Sequence, residues 1–168
     1  LGNIKSPKLV VADTMNLWIQ TEKQELLKLL KKIDGLVLND GEARLLTEQK
    51  NLIKAAREVL SYGPKFVVIK KGEHGSLLCT PNDAFVLPAY PAEAVIDPTG
   101  AGDSFAGGMM GYLATQGHVN PSNVKRALAY GTCVASFTIS DFSLAGLQSA
   151  TREQIDQRYH DFKLAMTF

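Results

Sequence analysis

Short apolar runs alternate along the chain with longer stretches in which apolar residues return every third or fourth position, the two periods of strands and helices. The first run, 8–12, ends at Asp13, Thr14, Met15 and Asn16 and predicts a buried parallel strand opening into a loop. Leu26, Leu27, Leu29, Leu30 and Ile33 then form the stripe of a helix. Thr21 is its expected cap, with Glu22 and Glu25 early and lysines late, as the helix dipole favours. Gly35 stops it, and Leu36, Val37 and Leu38 make a second strand. Glu42 to Leu46 starts a short helix, and 51–62 is amphipathic through Leu52, Ile53, Ala56, Val59 and Leu60. Gly63 and Pro64 end that helix ahead of a third strand at 65–70.

Strand, helix, strand, helix and strand with short connections predict a parallel sheet with right-handed crossovers. After Gly72 the rhythm changes. Residues 76–80 and 84–88 are joined by Pro81, Asn82 and Asp83, the mark of a hairpin. Val95 and Ile96 read as one more strand, and the small and apolar residues after Gly100 as a buried helix. Pro121 and Ser122 open a long helix through Val124, Ala127, Leu128, Val134, Ala135 and Phe137. Gly146 breaks the chain, and Ser149 or Thr151 caps a last helix carrying Ile155, Tyr159, Phe162 and Leu164. The expected fold class is α/β: a doubly wound, mostly parallel sheet with helices on both faces and a β-hairpin extension, as a single domain over 1–168. There is no internal repeat, low-complexity tract or linker.

Composition narrows the reading. The length of 168 residues allows a real core, and 45% hydrophobic with 21% charged residues is ordinary for a globular protein. A net charge of +1 gives no field for polyanions, so nucleic acid is not expected as a partner. Cys79 and Cys133 lie far apart without metal-ligand spacing and read as buried reduced thiols of a cytoplasmic protein. No apolar run reaches membrane-spanning length, so no membrane partner is expected. Leu1, Gly2, Asn3, Ile4 and Lys5 do not form a signal peptide. The lack of an initiator Met fits a chain cut from something longer, and equally the removal of a tag or processed segment.

In open parallel sheets ligands gather beyond the carboxyl ends of the strands. Asp13 and Asn16, Asn39 and Glu42, Gly72 and Gly75, and 97–103 each follow a predicted strand. Gly100 and Gly102 flank Ala101 at the entry to a helix. There backbone N–H groups can point one way and the dipole adds positive potential. Asp103 at that mouth suits a base that takes a proton from a hydroxyl attacking a phosphoryl group, or a plain first-turn acid. Glu42 reads either as a helix-start acid or as a carboxylate holding Mg²⁺ through water. Gly72 and Gly75 are turn punctuation on their own, and Trp18 lines a site or fills the core.

The run Asp97, Pro98, Thr99, Gly100, Ala101, Gly102, Asp103, Ser104, Phe105, Ala106, Gly107, Gly108 resembles the C-terminal signature of the ribokinase-like (PfkB) family of carbohydrate and nucleoside kinases. Two further marks precede it in the family's order: Asn39-Asp40-Gly41-Glu42 and Gly72-Glu73-His74-Gly75. The resemblance covers about Val10 to about Gly146. Family members are usually near twice this length, so the chain resembles the nucleotide-binding C-terminal part of such an enzyme. By that resemblance the N-terminal substrate and lid portion is expected to be missing from it.

The resemblance implies ATP and Mg²⁺ as cofactors and a small-molecule sugar or nucleoside as acceptor. Asp103 would be the base, and the N–H groups of Gly100, Ala101 and Gly102 would stabilise phosphoryl charge. Asn39 and Glu42 would act on metal and phosphate, and the 72–75 loop would pass beside the nucleotide. Lys70, where relatives often carry threonine, would meet phosphate as a point charge. Thr132 and Ala135 would border the adenine pocket, unless they are helix core. His74 is expected on the surface. Asp97 and Thr99 match positions that support a monovalent cation, K⁺ being the candidate. The facing segment 140–146 lacks the Arg/Gly-rich pattern of ribokinases proper, which leaves that requirement open.

Three readings stand: a sugar kinase, an adenosine-type nucleoside kinase, and a non-catalytic nucleotide-binding module. A dinucleotide-binding domain is disfavoured, because no Gly-x-Gly-x-x-Gly follows the first strand. A homodimer is the candidate assembly. The 168 residues alone are expected to be a poor kinase and, with an apolar edge and face bared, prone to associate.

Overall fold

The computed structural model describes residues 5–167, so the first four residues of the expected chain start lie outside the described residues. Strands β1 (Val11–Asp13), β2 (Gly35–Asn39), β3 (Phe66–Lys70), β4 (Ser76–Cys79) and β5 (Ala84–Leu87) form one sheet in the order β1-β2-β3-β4-β5. The first three are parallel, and β4 runs antiparallel to β3. Helices α1 (Asn16–Thr21), α2 (Lys23–Leu30), α3 (Asp40–Thr47) and α4 (Leu52–Ser61) fill the crossovers. Helices α5 (Ala101–Thr115), α6 (Pro121–Thr138), α7 (Ala145–Ser149) and α8 (Arg152–Ala165) follow the sheet. The chain divides into two compact units, Leu1–Val86 and Leu87–Phe168.

In the first unit the alternation of side chains along each strand sorts the core. Leu36, Leu38, Val67, Ile69, Leu77 and Cys79 share a cluster with Leu26 and Leu30 of α2, Ala43 and Leu46 of α3, and Ala55, Ala56 and Val59 of α4. Val37, Val68 and Leu78 alternate with them and are also buried, so β2, β3 and β4 are apolar on both faces, as their continuous apolar runs predict. The strand starts are tied at Asp34. Its carboxylate accepts from Val10 N–H at 2.9 Å and pairs with Lys65 Nζ at 2.7 Å, while its backbone bonds both Val10 and Lys65.

In the second unit α5 and α6 pack with almost no space between backbones. A Cβ on Gly131 would lie 2.5 Å from the carbonyl oxygen of Phe105. Buried Ser104 and Thr138 join the two helices where the chain enters α5, hydroxyl to hydroxyl at 2.7 Å. Against α6 lies α8, with Tyr112, Tyr130 and Tyr159 stacked 5.2–6.4 Å apart. Arg158 seats its guanidinium 3.5 Å over the Phe137 ring and donates to Ser136 Oγ. Burial of Cys133 in this packing pushes its thiol up to about 12.

Three sequence expectations are corrected. Thr21 does not cap a helix: it is the last residue of α1, and its hydroxyl donates to Leu17 C=O. Val95 and Ile96 form no strand. Both are exposed, and Ile96 makes a single backbone bond, to Ile139, so the run lacks the ladder a strand needs. Gly146 does not break the chain but sits buried inside α7, where a Cβ would lie 2.3 Å from Phe137 C=O. Thr151, rather than Ser149, caps α8, in a reciprocal box with Gln154.

Candidate active site

In the first unit, polar residues meet at the carboxyl ends of β1, β2 and β3. β2 runs directly into α3, and the hinge is a capping box. Asn39 Oδ1 accepts from Glu42 N–H at 2.8 Å, and Glu42 Oε2 accepts from Asn39 N–H at 2.7 Å. The three-residue spacing therefore serves both a helix start and a fixed carboxylate. Glu42 is only 7% exposed, and that burial raises its carboxyl pKa. The charge of Asp13 raises it further, while the Asn39 N–H and Lys70 oppose the shift. Glu42 Oε1 takes no hydrogen bond among the described residues and is the oxygen left to face a hydrated Mg²⁺, while Asn39 Oδ1 and both Asp13 oxygens are held by Glu42 N–H, Thr14 N–H and Lys70.

Lys70 is not a free point charge. Its ammonium lies 2.8 Å from Asp13 Oδ2, and both side chains are mostly shielded. Asn39, Lys70 and Ser76 stand opposite one another across β2, β3 and β4 and so share one sheet face. Ser76 Oγ is buried without a hydrogen-bond partner among the described residues, as is Thr14 Oγ1. Neither hydroxyl was singled out from the sequence. The strand register that aligns Ser76 with Lys70 is the signal that finds it. Gly72 and Gly75 bound a 3₁₀ turn with positive φ of 56° and 80°, closed by Lys71 N–H on Gly75 C=O. His74 is at the surface.

In the second unit the chain turns into α5 at Gly100, whose φ of 79° is the left-handed conformation a side chain resists. Ala101 N–H donates to Pro98 C=O at 3.2 Å and is spent within the turn, which corrects its place among the available amides. The N–H groups of Gly100, Gly102 and Asp103 have no partner among the described residues. They stand at the start of a fifteen-residue helix, at the positive end of its dipole. The Asp103 carboxylate is exposed and makes no ion pair or hydrogen bond among the described residues. Thr132 and Ala135 lie one turn apart on α6, both half-buried, and Thr132 Oγ1 donates to Leu128 C=O.

Asp97 bridges two loops. Oδ1 accepts from Thr99 N–H at 2.9 Å, and Oδ2 accepts from Ser143 N–H at 3.1 Å, 46 residues away. These bonds, with the Thr99 side chain, hold its carboxyl below the usual range. Ser143 has a φ of 56°, unusual for a residue with a side chain, and nothing in the sequence singles it out. Surrounding carbonyls are already acceptors: Ile139 from Ile96, Phe142 from Ala145, Leu144 from Gln148 and Pro98 from Ala101. A K⁺ ion needs a shell of several oxygens free to face it. Here each of these oxygens already takes an N–H, so an ion would have to share every one of them with a donor, and the set fits K⁺ poorly.

The family model for the pfkB family carbohydrate kinase matches residues 5–150. Among curated proteins, the bifunctional ribokinase/ribose-5-phosphate isomerase A of Fructilactobacillus sanfranciscensis is 36% identical over 76% of this chain and 24% of its own length. The cytidine kinase of Thermococcus kodakarensis is 36% identical over 53% of this chain and 33% of its own. Among solved structures, the ribokinase of Thermotoga maritima superposes with a TM-score of 0.73 at 25% identity, covering 90% of this chain and 49% of that one. The Salmonella enterica aminoimidazole riboside kinase, complexed with aminoimidazole riboside and an ATP analog, reaches 0.77 at 20% identity and shares the fold. It covers 89% of this chain and 52% of that one. The chain thus spans about half the length of these solved structures, and a third or less of the length of these two curated relatives. Among the described residues no helix is long and apolar enough to cross a membrane. On the match over 5–150, the chain belongs to the pfkB family of carbohydrate kinases.

Proposed function

We propose that the protein is an ATP-dependent kinase that moves the γ-phosphoryl group to a primary hydroxyl of a sugar or sugar derivative, a nucleoside being the alternative acceptor. The observation that carries this reading is the entry to α5. Three backbone N–H groups without partners meet the positive end of a long helix, and an unpaired carboxylate rises from the same turn. The amides of Gly100, Gly102 and Asp103 offset charge that builds on the transferring group's oxygens. The Asp103 carboxylate takes the hydroxyl proton as the acceptor oxygen forms its bond to Pγ and the bond from Pγ to the β,γ-bridging oxygen breaks. A binder without catalysis has no use for a carboxylate repelling the same phosphate.

Glu42, with Asn39 and Asp13 beside it, would hold Mg²⁺ through water. When bound, the metal neutralises phosphate charge. In this reading the turn bounded by Gly72 and Gly75 flanks the nucleotide, and Thr132 and Ala135 line the side of α6 that meets its base. The 168 residues then form the nucleotide-handling portion of the enzyme. Relatives named for ribose and for cytidine set the panel of acceptors to screen.

The test is Asp103→Asn in the full-length protein. Turnover with the best acceptor should fall by about 10²–10⁴-fold, the range of a lost general base, with ATP·Mg²⁺ affinity nearly intact. Near-normal turnover would refute the reading.

A further inference from the structure

We propose that Asp97 is a positioning residue: by accepting the backbone N–H of Thr99 and of Ser143 it ties the turn before α5 to the loop after α6, and this tie does the work a monovalent cation would do at that place. The inference rests on the kinase reading for its catalytic consequence, but the tie itself stands on geometry alone.

A cation between two loops holds them by drawing oxygens from both. Here one carboxylate draws N–H groups from both, at 2.9 Å and 3.1 Å, so the polarity of the joint is inverted. Ser143, whose N–H makes the second bond, takes a φ of 56°, and such a backbone persists where the surroundings over-determine it. Two features hold that loop. Gly146 lies against Phe137 C=O with no room for a Cβ, and Ile96 N–H bonds Ile139 C=O at 2.8 Å beside the tie. An arriving cation would have to share each carboxylate oxygen with an N–H dipole whose positive end opposes it. The tie lies three residues before Gly100, so what it fixes is the direction of the unpartnered amides at the start of α5.

Two arms test this. In the first, amide resonances of Thr99 and Ser143 are followed by NMR in the wild-type chain. KCl, NaCl and tetramethylammonium chloride are titrated in turn. The expected result is the same small, non-saturating drift in all three salts. A saturable shift with K⁺ alone, at either amide, overturns the proposal whether or not the protein is a kinase.

In the second, ATP·Mg²⁺ affinity of the full-length protein is measured in the same three salts, for wild type and Asp97→Asn. An asparagine there offers one acceptor oxygen and turns a donor toward the other amide. Wild type should bind within twofold in every salt. Asp97→Asn should bind about tenfold more weakly, with K⁺ giving no rescue. Tenfold tighter wild-type binding in K⁺, or rescue of the variant by K⁺, overturns the proposal. If wild type binds no ATP in any salt, the kinase reading fails, and the NMR arm still decides the tie.

Discussion

Asp34 shows how one side chain can serve three strands. Lys65 beside it, and then the Val10 N–H, hold its carboxyl below the usual range against the effect of burial. A carboxyl lowered in the folded state adds stability above its unfolded value of about 3.9, and that gain disappears as pH falls through the folded value. Lys65 is largely exposed, so the pair itself contributes roughly 0.5–1 kcal/mol. Asp34→Asn should therefore lower the unfolding free energy measured in urea by about that amount at pH 7. The difference from wild type should shrink as pH falls from about 4 through the lowered folded value, below which both side chains are neutral. An unchanged difference at low pH would show that packing carries the effect. At this scale the sequence was a partial guide. Asn39, Glu42 and Asp103 stand out by type and spacing, and the structure puts each at the start of a helix. The partner of Lys70 is 57 residues away, and that of Asp97 is an amide 46 residues away, so neither leaves a local trace.

Elements were legible where a local rule decides them. Residues 51–62, the strand at 65–70 and the hairpin turn at 81–83 are each specified by neighbours, and the structure has them as α4, β3 and the connection between β4 and β5. Val95 and Ile96 misled because apolar character was the only cue, and a strand also needs a partner to bond. The closeness of α5 and α6 was also hidden. Glycines inside a helical pattern look like weak points, yet Gly131 is where one helix touches the other's backbone. Gly131→Ala would press a methyl to 2.5 Å from a carbonyl that cannot swing aside. It should cost about 1–3 kcal/mol and lower the melting temperature by several degrees. Gly111→Ala is the contrast, since nothing lies within 4 Å of where its Cβ would stand. Equal losses for the two would argue against backbone contact as the cause.

Across the whole molecule, β1 is paired on one side only among the described residues. Just beyond it Met15, Leu17 and Trp18 are each nearly half exposed. An open edge beside apolar side chains invites another chain. The 168-residue protein should show concentration-dependent association in sedimentation velocity, reduced by the double change Leu17→Lys with Trp18→Lys. A monomer at all concentrations, for wild type, would contradict this. The fold class was readable at this scale because β-α-β alternation leaves few topologies. The division between Val86 and Leu87 was not, since no linker composition marks it. The joint of α5 and α6 has one more consequence. Two rods in main-chain contact, and joined by Ser104 and Thr138 at one end, have little room to shift past one another. A displacement of α6 at that contact therefore presses directly on the backbone of α5, a short way from the amides around residue 100.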